Sequence, residues 1–180
     1  MGLRGRTVLL GVTGSIAVYK ACDLVRRLKD EGADVYCLMT SGAQRFVAPL
    51  TFGALSGNPV ATEIWDPHLW KMAHLSLAES ADIYLIAPCS TDTLARLAAG
   101  MSGDIITATA AATRAPVLIA PAMHESMWLH PATRSNVQKL KSYGYRFVGP
   151  EKGELLSGKP GWGRFSDASS IISAVKKAVR

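Results

Sequence analysis

Three apolar runs of this chain end in small and hydroxyl-bearing residues. The first leads into Gly11-Val12-Thr13-Gly14-Ser15-Ile16, the second into Met39-Thr40-Ser41-Gly42, and the third into Pro88-Cys89-Ser90-Thr91-Asp92-Thr93. Glycine lets a backbone approach a ligand closely, and N–H groups at a helix start, helped by Ser and Thr hydroxyls, bind phosphate. A Ser or Thr at such a place is also an ordinary helix N-cap, so one loop of this kind would say little. Three converging on one edge predict an anion site. The first loop carries neither GxGxxG nor GxxxxGKS/T, which argues against a dinucleotide fingerprint and a Walker loop and leaves a mononucleotide such as a flavin.

The histidines are the candidates for proton transfer, because imidazole titrates nearest neutrality. His68 falls in a polar, Pro-containing stretch and reads as solvated, while His130 precedes Pro131 and reads as leading into a helix. His74 opens a helical stretch just ahead of the apolar run 81–87, so it is either structural or a general base near the edge where that run ends. His124 follows Ala120-Pro121-Ala122-Met123 and is either a turn residue or a group facing the same edge. The methionines and Trp128 read as packing residues. Cys22, Cys37 and Cys89 are far apart, show no metal-ligand spacing, and read as buried free thiols.

What positions these residues is an alternation of strands and helices. The apolar runs at 7–11, 33–39, 81–87 and 116–120 predict buried parallel strands, and 145–148 a fifth. Between them, 16–31 predicts a helix with Ala17, Ala21, Leu24, Val25 and Leu28 on one face, stopped by Gly32. Further helices are predicted over 43–55, after His74, over 91–112 as a pair broken near 100–103, from Pro131, and at the end, where Ile171, Ile172, Val175 and Val179 share a face. This order predicts an α/β, three-layer Rossmann-like (flavodoxin-like) fold, with a parallel sheet of about five to six strands covered by helices on both faces. Ligands of such sheets sit beyond the carboxyl ends of the strands.

Composition bounds the function. With 180 residues, of which 48% are apolar, the chain holds enough core for one domain over 1–180 without disulfide or metal staples. The longest apolar run, 115–123, is far short of the roughly 20 residues a spanning helix needs, so no membrane partner is expected. Net charge is +6, but basic residues run together only in pairs such as Arg26-Arg27 and Lys176-Lys177, which argues against nucleic acid and leaves a small anionic ligand. The opening Met1-Gly2-Leu3-Arg4-Gly5-Arg6 carries no leader-like apolar segment, which predicts a cytoplasmic protein.

Four segments carry a family resemblance: GVTGSIAVYKA from Gly11, AHLSLAESAD around His74, PCSTDTLARLAAGMSGD from Pro88, and PAMHESMW from Pro121. In this order and spacing the chain resembles the homo-oligomeric flavin-containing cysteine decarboxylases over almost its whole length. The resemblance implies FMN held by Gly14, Ser15, Ile16, Thr40, Ser41, Phe46, Ser90, Thr91, Asp92 and Thr93, with His74 as the catalytic residue. It places the substrate against Ala122, His124 and Met127 and beneath a glycine-rich flap, Gly153 to Arg164, that contributes Ser157 and Arg164. No metal is implied.

Two positions depart from the family pattern. His124 stands where most members have Asn, as in archaeal-type relatives, and Ser157 stands where many have Cys. A Ser hydroxyl is a poor substitute for a thiol as an acid, so Glu154, Lys159 or water is left to supply the last proton. The long GVTGSIAVYKACDLVRRL opening and PLTFGALSGNPV, from Pro49, resemble the coenzyme A branch. Members of that branch decarboxylate 4′-phosphopantothenoylcysteine to 4′-phosphopantetheine through oxidation to a thioaldehyde, loss of CO2 and re-reduction. They form trimers or dodecamers and are often linked to a phosphopantothenate-cysteine ligase. The alternatives within the same resemblance are a peptidyl-cysteine decarboxylase releasing an enethiol, a flavin prenyltransferase, and a non-catalytic flavin-binding regulatory subunit.

Overall fold

The computed structural model describes residues 2–65, 73–154 and 158–179, with residues 73 and 74 described by their backbone. In chain order the elements are β1 (Thr7–Val12), α1 (Val18–Asp30), β2 (Asp34–Met39), α2 (Ser41–Gln44), α3 (Pro49–Ser56), α4 (Ala73–Ser80), β3 (Ile83–Cys89), α5 (Thr91–Ala98) and α6 (Ile105–Ala112). They continue with β4 (Val117–Pro121), α7 (Glu125–Leu129), α8 (Pro131–Ser142), β5 (Arg146–Phe147), β6 (Glu151–Glu154), β7 (Pro160–Arg164) and α9 (Ala168–Ala178). Among the described residues β1 to β5 form one parallel sheet in the order β2-β1-β3-β4-β5, the flavodoxin-like order. Among the described residues no sixth strand joins it; β6 and β7 pair antiparallel as a separate hairpin over the segment expected as a flap.

The sheet is apolar on both faces because both are covered. Val8, Leu10, Val12 and Leu85 point into a core shared with Leu24, Leu28, Phe52, Ile171 and Val175, whereas Leu9, Tyr84 and Ile86 point into one shared with Leu94, Leu97, Ile106 and Leu140. Each fully buried Leu or Ile contributes about 1.5–3 kcal/mol, so the strands make a rigid frame from which loops project. At the end of α1 the chain reverses through Gly32, at φ +88°, with Gly32 N–H donating to Lys29 O (2.8 Å) and Ala33 N–H to Leu28 O (3.1 Å). This pair of bonds is the Schellman termination that a C-terminal glycine signals.

The helix expected over 43–55 is two helices. Ala48, at φ −67° and ψ 145°, is held extended between α2 and α3, because the ring of Pro49 excludes its predecessor from the α region. The break in 91–112 falls where Gly100 takes φ +69°, and the fifth strand is shorter than 145–148. The short helix α7 carries no apolar periodicity long enough to be seen in sequence.

The cysteines are free; Cys37 and Cys89 are buried, and Cys22, expected to be buried as well, is half-exposed. Burial pushes the Cys37 thiol up to about 12 and raises Cys89 further, while Cys22 is raised more modestly, also by burial. At pH 8 the two buried thiols are therefore almost entirely protonated and inert. A colorimetric thiol reagent is expected to titrate no more than one thiol, slowly, in the native protein and all three after denaturation. Rapid native labelling of two would contradict this packing.

Candidate active site

The carboxyl ends of β1, β2 and β3 bring the three hydroxyl-rich loops to one edge of the sheet, at the point between β1 and β3 where strand order reverses. Thr13, fully buried, ties these two strand ends together. Its N–H and Oγ1 both donate to Pro88 O (3.2 and 2.8 Å), and Oγ1 accepts from Ser90 N–H (2.8 Å). Ser90 in turn caps α5, accepting from Thr93 N–H at 3.3 Å with its hydroxyl 3.1 Å from Thr93 Oγ1. Thr40 caps α2 by accepting from Ala43 N–H at 3.2 Å. The capping function anticipated for these residues is present, and the same caps face a cavity.

Two cavities adjoin at this edge and share Gly14 and Ser90. The first, about 640 Å³, is lined by Gly14, Thr40, Ser41, Ser90, Asp92 and Thr93 among the expected residues. It also takes in Thr62, Glu63, Ile64, Trp65, Arg96 and Asp104, which sequence reasoning did not assign. The segment 62–65 arrives because Ala61 bridges the edge of β2, donating its N–H to Cys37 O (3.0 Å) and accepting from Met39 N–H (2.9 Å). Asp104 is fixed by capping α6, where its carboxylate accepts from Ile106 and Thr107 N–H at 2.9 and 3.0 Å. Arg96 pairs with Asp92 at 2.8 Å across the cavity rim. Both Arg96 and Asp104 lie inside the PCSTDTLARLAAGMSGD segment, so a signal for them existed.

The second cavity, about 870 Å³, is lined by Ser15, Ile16, Thr91, Ala122, His124, Met127 and Arg164 of the expected residues, together with Tyr19, Lys20, Met123, Glu154, Gly158 and Gly163. Ser15 joins its walls, donating to Ala122 O at 3.3 Å. Phe46, 51% exposed, lines neither cavity. His124 is both of the things its sequence position allowed. It caps α7 through Nδ1, which accepts from Ser126 N–H (3.3 Å) and lies 2.9 Å from Ser126 Oγ, and it also lines the cavity. With Nδ1 an acceptor, Nε2 carries the ring hydrogen and is the donor left for a ligand. Arg164 is ion-paired with Asp167 at 2.6 Å. His130 caps α8, accepting from Ala132 N–H at 3.2 Å, as its place before Pro131 suggested.

His74 occupies the first turn of α4; its side chain, like Ser157 and His68, lies outside the described residues. Among the described residues no cluster of His, Cys, Asp or Glu has a metal-binding arrangement, and no helix is long and apolar enough to cross a membrane.

The profile of one family, Flavoprotein, matches residues 2–180. This chain belongs to the Flavoprotein family. Among proteins similar to it, the coenzyme A biosynthesis bifunctional protein CoaBC of Vibrio vulnificus strain YJ016 is 42% identical over 172 residues, covering 95% of this chain and 43% of that protein. CoaBC of Mycolicibacterium smegmatis is 45% identical over 169 residues, covering 93% and 40%. The chain thus spans less than half the length of these relatives. Solved structures of similar fold include a PPC decarboxylase mutant complexed with pantothenoylaminoethenethiol, 29% identical with a TM-score of 0.84 over 97% of this chain and 98% of that one. The FMN-dependent cysteine decarboxylase SpaF is 30% identical with a TM-score of 0.85 over 99% of both. For a Flavoprotein family member, the two-cavity edge is the place to look for cofactor and substrate.

Proposed function

We propose that this chain is an FMN-dependent decarboxylase converting 4′-phosphopantothenoylcysteine to 4′-phosphopantetheine, acting as a single domain. The observation that carries the reading is the pair of adjoining cavities joined at Gly14 and Ser90, one ringed by helix caps and the other by the turn at 122–124, the start of α7 and β7. The first cavity fits FMN. Its wall is bare backbone where a Cβ on Gly14 would come within 3.3 Å of Gly42 Cα, and its donors are the Ser and Thr caps that phosphate binding uses. Its volume, about 640 Å³, lies within the range of small-molecule sites. Thr40, Ser41, Ser90 and Thr93 would hold the cofactor there, with Asp92 at the rim and Ile64 as an apolar neighbour, while Ile16 faces the second cavity and Phe46 lies outside both.

Bound FMN would supply reversible two-electron oxidation at the carbon bearing sulfur, so that the electron pair released with CO2 has a C=S bond to enter. The protein's own groups do the rest. His74 takes the proton from the substrate thiol. His124 donates Nε2–H to the carboxylate, the role an Asn amide would serve, so the His at this position preserves a donor without requiring charge. Ala122 and Met127 pack the substrate, and Arg164 and Lys20 place positive charge in a cavity that receives an anion. Of the candidates for the final proton, Glu154 lines the cavity and Lys159 does not, which favours Glu154. We further propose a cytoplasmic homo-oligomer, a trimer or dodecamer, working with a phosphopantothenate-cysteine ligase, which is consistent with relatives named as bifunctional proteins of coenzyme A biosynthesis.

The purified chain is expected to be yellow, with about one FMN per protomer, and to release CO2 from 4′-phosphopantothenoylcysteine with a product lighter than substrate by CO2 alone. A product lighter by two further hydrogens would replace this reading with the enethiol-releasing one. Bound FMN without CO2 release would replace it with the regulatory subunit, and a colourless chain that FMN does not reconstitute would end it.

A further inference from the structure

Glu125 lines neither cavity, yet it sits where the hairpin meets the loop that carries His124. Its Oε1 accepts from the backbone N–H of Trp162 in β7 at 2.8 Å. A Cβ on Gly161 would stand 2.9 Å from Glu125 Cδ and 3.0 Å from both carboxylate oxygens, so the carboxylate lies flat against that glycine. Two residues away the contact repeats on the backbone. Met123 N–H donates to Gly163 O at 3.0 Å, and Gly163, at φ +120°, brings its Cα so close that a Cβ would fall 2.1 Å from Met123 O. The residues on either side of His124 are therefore each bound to β7.

We propose that Glu125 is a positioning residue that clasps β7 to the His124 loop and so completes the substrate side of the second cavity. Arg164 and Gly163 reach that cavity only because β7 is seated on this loop, and His124 presents its ring from the middle of the seated segment. The carboxylate is suited to the task because a charge-assisted bond to a backbone N–H is stronger than a neutral one and the second oxygen is free to relax against Gly161. Trp162 itself is half-exposed, so the seating relies on these backbone contacts more than on burial of its ring. The consequence for substrate rests on the function proposed above; the clasp does not.

The test uses the FMN-loaded full chain with Glu125→Ala and Glu125→Gln, since the Gln side-chain oxygen can still accept from Trp162 N–H. Hydrogen exchange at residues 161–164 is expected to be about tenfold faster in Glu125→Ala, with KM raised about tenfold, kcat within about threefold and FMN content unchanged; Glu125→Gln, which keeps the acceptor but loses the charge, should fall between wild type and Glu125→Ala in exchange and KM. Unchanged exchange in Glu125→Ala overturns the clasp. Faster exchange with unchanged KM overturns its role in the substrate cavity, and a Gln variant as impaired as Ala overturns the acceptor argument. A wild type that releases no CO2 would sink the proposed function, while exchange alone would still decide whether Glu125 holds β7.

Discussion

Replacing His74 by Asn is expected to lower the rate of CO2 release by about 10²–10⁴-fold, the usual contribution of a general acid–base group, with FMN content and thermal midpoint close to wild type. The expectation combines chemistry with placement. Helix α4 ends at Ser80, with two residues between it and the start of β3, and therefore closes at the amino end of that strand. A crossover helix runs back against its strands, so the first turn of α4, with His74, is the end of that helix nearer the carboxyl edge. Asn keeps a comparable size and both hydrogen-bonding senses but cannot carry a proton between substrate and solvent. A loss confined to turnover would identify His74 as the proton-handling group, whereas an unchanged rate with FMN bound would remove it from the mechanism.

Much of this arrangement is legible in the sequence because it is local. The apolar runs, the glycine that ends α1 and the three hydroxyl-rich loops each depend on a few neighbouring residues, and strand-helix alternation then forces the loops onto one edge. What escapes is set by long-range pairing. Thr13 looks like any loop hydroxyl until β1 and β3 come side by side and it binds Pro88 and Ser90, residues more than seventy positions away. The segment 62–65 enters the first cavity through a bridge to β2 that has no pattern of its own, and Glu125 meets Trp162 across 37 positions. The error over 43–55 is different in kind. There a local signal, the proline at 49, outweighs the apolar pattern.

The second large effect concerns the cofactor. Gly14→Val is expected to weaken FMN binding by at least about 100-fold, equivalent to about 2.7 kcal/mol, while the apo-protein keeps its far-UV spectrum. Gly14 does not adopt a positive φ, so the constraint is space and not backbone conformation. A single Cβ would already stand 3.3 Å from both Cα and carbonyl carbon of Gly42, and the reciprocal Cβ on Gly42 would stand 3.4 Å from Gly14 Cα. The two loops thus meet backbone to backbone, just where one precedes α1 and the other begins α2. Neither neighbour is a flexible side chain that could swing aside, so the two methyl groups that Val adds must part the loops or enter the cavity wall. Parting them moves Thr40 and Ser41 away from Ser90 and Thr93, and the caps no longer converge on one anion. Gly14→Ala requires a shift of only a few tenths of an ångström and should cost about tenfold or less, so the two variants graded by fluorescence titration with FMN separate crowding from a general loss of fold. Wild-type affinity in Gly14→Val would mean that the cofactor is not held at this junction, and the first cavity would need another occupant.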